Sequence, residues 1–299
     1  MSLQQDGVQQ LPANVSNPSL KTVPVSIWMN GRATAPEQAT VSIFDRGYLY
    51  GDGVFDTIAA WEGRIIWLEE HIDRFLAGCD RLQIPVPYSR NELIEAVHQT
   101  FDRYEGNNGR IRVSASRGIG GTAIYDQIET GPTVVIWVKP LELYPERFYR
   151  VGMRLKSFTT ERHEAAVKHL SFLVSVACMM DARREGFDDA FFVDTDGNVS
   201  EGATFNIFSV YGNQVTTPAR KILNGVTRAK VLDLIRQTQH QVNIEDLPLT
   251  RLLEADEVFI TGSTKKIVPV SEIDGHTIGR GIVGTVTREL TQMFNDQYF

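Results

Sequence analysis

The segment from residue 167 to residue 210 constrains the fold of this chain most, because it joins an almost wholly apolar run to a β-hairpin signal. The run over residues 170–180 predicts a mostly buried helix that ends at Gly186. Lys168 lies at the edge of this run, where partial desolvation would lower the pKa of its amine toward the neutral, nucleophilic form. A lone lysine beside a helix is more often solvated, so Lys168 alone is only a candidate.

The second half of the segment predicts a hairpin around the turn Asp196-Gly197, with strands over residues 190–194 and 199–210. Glu201 interrupts the apolar residues of the returning strand. A carboxylate in that position must be paired or must face a polar cavity, although a glutamate in a hairpin more often faces solvent. Gly202 indicates a bulge or a ligand close to the backbone.

Composition and charge limit the class of protein. The 299 residues allow two domains or one large one, and 42% hydrophobic with 22% charged residues is typical of a globular protein. The net charge of -7 argues against nucleic acid and anionic membrane as partners. No apolar run approaches the roughly 18 residues of a membrane span. Residues 1–24 predict a loose tail, not a signal peptide.

The cysteine and histidine content argues for a reducing compartment and against a metal site. Cys79 and Cys178 both fall in apolar helical patterns, which favours buried reduced thiols and a cytoplasmic enzyme. None of the six histidines has a second histidine at the spacing that a zinc helix needs. We therefore expect no metal ion.

The N-terminal half predicts a mixed α and β unit. A strand is predicted over residues 25–29. In a later stretch, three glycines alternate with Tyr48, Tyr50 and Phe55. This mixture suits either an aromatic wall around a ligand or a plain strand and turn. Amphipathic helices are predicted over residues 67–83, with Arg74 at the flank of the apolar stripe, and over residues 89–103. Ser89 with Glu92 three residues later predicts a capping box at the start of the second helix. Arg112 falls in the middle of a strand over residues 110–116.

The predicted domain boundary follows the strand over residues 133–138. We expect a small α+β domain over residues 25–138, a linker over 139–148 and a larger domain over 149–299. The glycine loop over residues 118–121 is a weak phosphate-loop signal, and we interpret it as a mobile loop with a lid role.

Two anion-binding turns are predicted in the C-terminal half. Val226 and Thr227 begin a helix next to a glycine, where free backbone N–H groups attract anions. Ser263 and Thr264 lie in a hydroxyl-rich turn after a strand. With an arginine, an amine and a carboxylate elsewhere in the chain, these turns are what a phosphorylated, carbonyl-bearing cofactor requires.

Six motifs occur in one order between about residues 25 and 295: FDRGYLYGDGVFDT, HIDR, the lysine segment, VSEGATFNIF, LNGVTR and ADEVFITGSTKKIVPV. This series resembles the class IV, or fold type IV, pyridoxal-phosphate enzymes. That family includes branched-chain aminotransferases, D-amino-acid aminotransferases, (R)-amine transaminases and aminodeoxychorismate lyase. The resemblance implies an α+β fold with a small N-terminal domain, a larger C-terminal domain with a barrel-like sheet, and a homodimer whose partner loop closes each site.

The resemblance also implies roles for individual residues. Lys168 would be the Schiff-base lysine and proton shuttle, and Glu201 would pair with the pyridine nitrogen of pyridoxal 5'-phosphate. Arg74 would hold the phosphate, with Val226, Thr227 and Ser263. The remaining assignments concern the substrate pocket: Tyr48, Tyr50 and Phe55 as lining, and Arg112 with Thr264 as a clamp for the α-carboxylate.

Two departures from the family pattern bear on the reaction. Phe172 stands where many members have a tyrosine that bonds the phenolic oxygen of the cofactor, and the region GGTAIYDQ lacks the Arg-x-His pair of D-amino-acid aminotransferases. We expect an aminotransferase that moves an amino group between an amino acid or primary amine and a 2-oxo acid by a ping-pong route. A lyase of the aminodeoxychorismate type and a non-catalytic pyridoxal-phosphate-binding protein are the alternatives.

Overall fold

Two β-sheets with helices packed against them make up the computed structural model, which describes residues 25–121, 123 and 127–299. The predicted tail over residues 1–24 lies outside the described residues. The glycine loop over residues 118–121 lies within them, where Ile119 bridges to Asp45 and Gly120 to Ile128, and its lid role stays a prediction. Within the described part of the chain, none of the helices is both long and apolar enough to cross a membrane.

The first sheet has six strands in the order β2-β1-β6-β5-β3-β4, and every pairing in it is antiparallel. Two amphipathic helices cover one face, and the second begins with the predicted capping box between Ser89 and Glu92. The elements are β1 (Ser26–Met29), β2 (Arg32–Ala33), α1 (Arg46–Tyr50), β3 (Gly53–Trp61), β4 (Arg64–Ile65), α2 (Leu68–Arg81), α3 (Arg90–Asp102), β5 (Gly109–Ser116) and β6 (Thr133–Pro140).

The second sheet has ten strands and is nearly closed on itself. Its path is β12-β11-β10-β14-β15-β7-β8-β9-β13, with β16 beside β15. The end strands β12 and β13 are separated in sequence only by Asp246, so the chain itself joins the two edges. The strands are β7 (Met153–Thr159), β8 (Asp189–Val193), β9 (Asn198–Gly202), β10 (Asn206–Tyr211), β11 (Gln214–Pro218), β12 (Gln241–Glu245), β13 (Leu247–Pro248), β14 (Glu257–Gly262), β15 (Lys266–Ile273) and β16 (His276–Thr277).

The remaining helices surround this second sheet. Side chains of the helices over residues 226–235 and 285–298 form one apolar core with the strands over 206–211 and 257–262. A separate apolar core includes side chains of the strands over residues 153–159, 189–193 and 266–273. The helices are α4 (Glu146–Arg150), α5 (Leu173–Arg184), α6 (Val226–Ile235), α7 (Leu249–Leu253) and α8 (Thr285–Tyr298).

The prediction that the apolar run after Lys168 is a mostly buried helix is wrong. The helix α5 begins at Leu173 instead of residue 170, and only Ser175 and Ala182 in it are buried. Leu173 is 78% exposed and Met180 is 58% exposed. These apolar side chains form a surface that the described part of the chain does not cover.

The prediction of one returning strand over residues 199–210 is also wrong. The strand breaks after Gly202, whose N–H donates to the carbonyl of Phe205 over 2.8 Å. A Cβ atom at Gly202 would lie 2.1 Å from the Phe205 ring, so only glycine permits this reversal. The turn at Gly197 is as predicted, but β9 pairs with β8 and β13 whereas β10 pairs with β11 and β14.

The predicted linker is longer than the irregular segment between the two sheets. The strand β6 continues to Pro140 and the helix α4 begins at Glu146, which leaves residues 141–145 outside helices and strands. The strand is longer than predicted because β6 pairs with β5 along its full length, with Pro140 opposite Gly109. The division into two domains stays an expectation.

Candidate active site

A cavity of about 290 Å³ lies where the two sheets meet. The first sheet contributes side chains of β3 and β5 to its walls. The second contributes the ends of β9, β10 and β14 and the N-terminus of α6. Of the predicted site residues, this cavity brings together Phe55, Arg74, Arg112, Lys168, Glu201, Val226, Thr227, Ser263 and Thr264.

Lys168 is fixed to the first sheet by its backbone. Its carbonyl accepts a hydrogen bond of 2.8 Å from the N–H of Phe55, and His169 bridges to Val54. The amine lies 4.7 Å from the centre of the Phe55 ring. Burial, and next the charge of Arg74, lowers the pKa of Lys168 to about 7, so much of the amine is neutral at physiological pH.

Glu201 projects from β9 into the same cavity and is 3% exposed. Its Oε2 atom accepts a hydrogen bond of 2.9 Å from the N–H of Leu223, and its Oε1 atom lies 2.9 Å from Arg162 Nη2. The contact with Arg162 has the distance of an ion pair but not hydrogen-bond geometry, so Oε1 has no hydrogen-bond partner among the described residues. Burial raises the pKa of Glu201, although Arg162 opposes that effect.

Arg74 projects from α2 and is held by Asp56 on the neighbouring strand β3. Its Nε and Nη2 atoms donate to the two carboxylate oxygens of Asp56, each over 2.8 Å, and Nη1 donates to the carbonyl of Asn224 over 3.2 Å. The imidazole of His71 lies 2.8 Å from the same carboxylate. Burial would raise the pKa of Asp56, but Arg74 and His71 outweigh burial and hold that pKa well below its usual range.

The N-terminus of α6 lies near Arg74, which donates to the carbonyl of Asn224 two residues before the helix, and it could hold an anion. No side chain caps this helix, so the N–H groups of Val226 and Thr227 in its first turn have no capping partner. The hydroxyls of Thr227 and Thr261 are buried without a hydrogen-bond partner in the described structure, and both line the cavity. Ser263 Oγ lies 3.4 Å from His71 Nε2.

The opposite end of the cavity combines aromatic rings with a cation. Phe55 and Phe172 meet edge to face with their centres 5.8 Å apart. The guanidinium carbon of Arg112 lies 3.7 Å from the centre of the Phe55 ring. Burial, with a smaller effect of Arg110, lowers the pKa of Arg112 to about 10, which still leaves the guanidinium charged at neutral pH.

The two predicted pocket tyrosines do not line this cavity in the single chain. Tyr48 is 72% exposed and Tyr50 is 39% exposed, and both lie on the short helix α1. The prediction rested on the alternation of glycines with aromatic residues and on the family resemblance. Gly51, in the left-handed conformation, ends α1 before β3 begins. The two tyrosines therefore lie outside the cavity, whereas Phe55 on β3 lines it.

The sequence analysis missed several residues that shape the site. Asp56 is an acid inside an otherwise apolar strand, the same signal that singled out Glu201, and His71 stands three residues before Arg74 on the helix. Arg162 lies in an irregular segment whose sequence carries no such signal. Lys265, directly after the hydroxyl-rich turn, is 2% exposed and contacts Asp189 at 3.0 Å.

The cavity therefore combines an amine of lowered pKa, a buried carboxylate with a free acceptor and an anion cup. The family model of amino-transferase class IV matches this chain over residues 53–273. The chain belongs to the class IV aminotransferase family and is an enzyme of that class, which confirms the resemblance stated above.

The curated relatives carry two kinds of name. A protein of Methanocaldococcus jannaschii, provisionally named branched-chain-amino-acid aminotransferase, is 36% identical over 91% of this chain and 96% of its own length. The D-alanine aminotransferase of Bacillus licheniformis is 31% identical over 89% of this chain and 94% of its own length.

Solved structures confirm the fold class. The branched-chain amino acid aminotransferase of Escherichia coli superposes with a TM-score of 0.87 and 26% identity, covering 92% of this chain and 95% of that one. A second branched-chain amino acid aminotransferase, from T.th. and complexed with N-(5'-phosphopyridoxyl)-L-glutamate, gives a TM-score of 0.85 and 27% identity, with 91% and 93% coverage. The α+β fold with a barrel-like second sheet is thus the fold type IV architecture of these enzymes.

Proposed function

We propose that this enzyme binds pyridoxal 5'-phosphate and moves an amino group between an amino acid and a 2-oxo acid in two half-reactions of a ping-pong route. The observation that carries the proposal is that Lys168 and Glu201 face one cavity from different sheets, the amine with a lowered pKa and the carboxylate with a free acceptor. A cofactor whose carbonyl reacts with an amine and whose ring carries a basic nitrogen needs that pair.

The residues around the cavity fit the cofactor at both ends. Arg74 and the first N–H groups of α6, from Val226 and Thr227, would hold the phosphate, with the Ser263 hydroxyl beside them. Glu201 Oε1 would accept a hydrogen bond from the ring nitrogen, because it is buried and lacks another hydrogen-bond partner in the described structure.

When bound, pyridoxal 5'-phosphate supplies an aldehyde carbon and an electron-withdrawing ring. Lys168 would hold the cofactor through its amine and would carry a proton to and from the substrate α carbon, a role that its pKa of about 7 suits. Glu201 would hold the ring nitrogen in its protonated form. Phe55 and Phe172 exclude water from the side of the cavity where the amine lies.

Arg112 is the proposed anchor of the substrate α-carboxylate, aided by the turn at Ser263 and Thr264, which lines the same cavity. Its guanidinium rests on the Phe55 ring and has no carboxylate within ion-pair distance among the described residues. A buried cation without a counter-ion is costly, so a substrate carboxylate that supplies the counter-ion gains binding energy.

We also propose a homodimer. The helix α1 and the segment before it expose Ile43, Phe44 and Tyr48, and the start of α5 exposes Leu173 nearby, since Gly51 packs on Ser171. An apolar surface of this extent is typical of a protein interface. In such a dimer Tyr48 and Tyr50 would reach the site of the partner subunit, which would restore their proposed contact with substrate. The unpaired thiols of Cys79 and Cys178 support the proposal of a cytoplasmic enzyme.

The test is spectroscopic and chemical. Purified holoprotein should show a visible cofactor band that an amino-acid donor bleaches and a 2-oxo acid restores. Bleaching that no oxo acid reverses would support a lyase instead. Borohydride reduction followed by peptide mapping should place the label on Lys168, and the half-buried Lys156, which pairs with Glu185 at 3.1 Å, provides the matched control as Lys156→Ala. Label on another lysine would contradict the proposal.

The donor is tested with a panel of L- and D-amino acids and small amines, scored by bleaching in a single half-reaction. The named relatives make branched-chain amino acids and D-alanine the first compounds to examine. The two phenylalanine rings beside Lys168 favour apolar side chains.

A further inference from the structure

The two halves of the proposed phosphate site come from different sheets. Arg74 projects from α2, which covers the first sheet, whereas Val226 and Thr227 begin α6, which packs on the second. Both halves hold one phosphate group only if the distance between the two helices is fixed. The contacts that hold α2 against α6 therefore bear directly on phosphate binding.

The side of α2 that carries Arg74 also carries two residues farther from the cavity, Trp67 and Glu70. These residues precede Arg74 by seven and four positions, so the helical repeat places all three on one side. Trp67 stands immediately before the helix, and its carbonyl accepts a hydrogen bond of 3.1 Å from the N–H of His71.

Glu70 connects α2 directly to α6. Lys230 Nζ donates a hydrogen bond of 2.6 Å to Glu70 Oε1, and the lysine side chain is 23% exposed. Lys230 lies four residues after Val226 and three after Thr227, on the same side of α6. The ion pair thus joins the side of α2 that carries Arg74 to the side of α6 that begins the proposed phosphate site.

Trp67 joins the start of α2 to the core of the second sheet. Its ring meets those of Phe294 and Tyr298 on α8 edge to face, with centres 5.7 and 5.0 Å apart, and Lys230 Nζ lies 5.9 Å from its centre. Phe294 belongs to the apolar core that α6 and α8 form with the second sheet. Its φ of 52° puts Trp67 in a left-handed conformation that persists only where the surroundings hold it.

We propose that five residues outside the cavity form a helix junction that positions Arg74 against the N-terminus of α6: Trp67, Glu70, Lys230, Phe294 and Tyr298. This inference rests on the proposed function, in which Arg74 and α6 hold the cofactor phosphate. The helix junction acts through the spacing of two helices. Its loss should therefore weaken binding of the phosphate group and spare the reaction of the aldehyde with Lys168.

The test titrates the apoprotein with pyridoxal 5'-phosphate and, separately, with pyridoxal, which has the aldehyde and the ring but no phosphate. The absorbance of the bound ligand reports both affinities without turnover. Trp67→Gly removes the ring but keeps a left-handed backbone available, and we expect it to weaken binding of pyridoxal 5'-phosphate by about 10-fold, the lower range for a hydrogen bond to a charged group. Its affinity for pyridoxal should stay within about twofold of the natural sequence, because the aldehyde reacts far from the change.

Lys230→Met tests the same helix junction with a milder change. It removes a partly exposed ion pair, so we expect binding of pyridoxal 5'-phosphate to weaken by about 3-fold and binding of pyridoxal to stay unchanged. Lys230→Arg should restore most of the affinity, because it keeps a cation opposite Glu70.

Two controls make matched changes outside the helix junction. Arg236→Met removes a cation at the end of α6 that pairs at 2.8 Å with Asp233 of its own helix. Gln83→Gly introduces glycine beyond the other end of α2, at a residue whose φ of 53° is also left-handed. Both variants should keep the two affinities within about twofold of the natural sequence.

The comparison of the two ligands separates positioning from general stability. Equal weakening of both ligands in Trp67→Gly and Lys230→Met, or no change in either ligand, would overturn the inference while leaving the aminotransferase proposal intact. A natural apoprotein that binds neither compound would overturn both.

Discussion

Glu201 and Arg162 form an ion pair at 2.9 Å inside the protein, with side chains only 4% and 7% exposed. The pair lacks hydrogen-bond geometry, so the guanidinium stabilises the charge of the carboxylate without occupying the acceptor at Oε1. The carboxylate must stay ionised and must also keep one oxygen free, and a direct hydrogen bond from Arg162 to Oε1 would meet the first requirement at the expense of the second. Arg162 lowers the pKa that burial raises, and the oxygen remains available to the ring nitrogen of the proposed cofactor.

Arg162→Met should therefore slow the half-reaction at neutral pH. Burial already raises the pKa of Glu201, and removal of the cation would raise it further, so more of the carboxyl would be protonated and unable to accept a hydrogen bond from the ring. The ionised fraction grows as pH rises, so the lost rate should recover at higher pH. We expect a loss of roughly 10-fold at pH 7, measured as bleaching rate against pH. Arg162→Lys should restore much of the rate, and a pH-independent loss would contradict this role.

Lys168→Met should stabilise the apoprotein at neutral pH. The pKa of this lysine is about 7 in the folded protein and near its ordinary value in the unfolded chain, so between these values the unfolded chain binds the extra proton. Stability of the natural sequence must rise with pH through that window, and below it the buried ammonium destabilises the fold. The variant should gain up to roughly 4 kcal/mol near pH 6 and little near pH 10.

Urea denaturation of the apoproteins at several pH values measures this difference. Lys156→Met is the control, because the half-buried Lys156 forms ion pairs near the surface and its loss should change stability by less than about 1 kcal/mol at any pH. A stability difference at Lys168 that does not vary with pH would show that packing, and not charge, dominates.

Asp56→Asn should destabilise the protein by about 3 to 5 kcal/mol, because it leaves the cation of Arg74 without its buried partner. Asp73→Asn changes the neighbouring exposed acid, which pairs on the surface with Arg90, and should cost less than about 1 kcal/mol. Denaturation of the two variants side by side measures the contrast. The same Asp56 variant should also bind the cofactor more weakly, measured by fluorescence titration, since Arg74 would lose its fixed orientation.

Leu173→Glu should dissociate the proposed dimer, because a charge would replace an exposed apolar side chain at the start of α5. Ile282→Glu makes the same change at another exposed apolar residue, one that lies outside α1 and α5, and should leave the mass unchanged. Light scattering coupled to gel filtration measures both. A natural sequence that is monomeric at micromolar concentration would contradict the dimer.

Much of the fold followed from local patterns. The amphipathic stripe of α2, the capping box of α3 and the Asp196-Gly197 turn each depend on side chains a few residues apart, so the sequence alone predicts them. The helix α5 shows where such reasoning fails. Its apolar side chains indicated burial, but a sequence does not say whether an apolar face is covered by its own chain or left for another.

The sequence by itself determined which residues have unusual chemistry: a lysine beside an apolar run, a glutamate in a strand and a helix start next to glycine. Only the tertiary structure decided what these residues face. Arg162 and Asp56 acquire their importance from ion-pair partners far away in sequence. Burial and charge balance depend on the three-dimensional distances between such groups, and those distances exist only after the two sheets have come together.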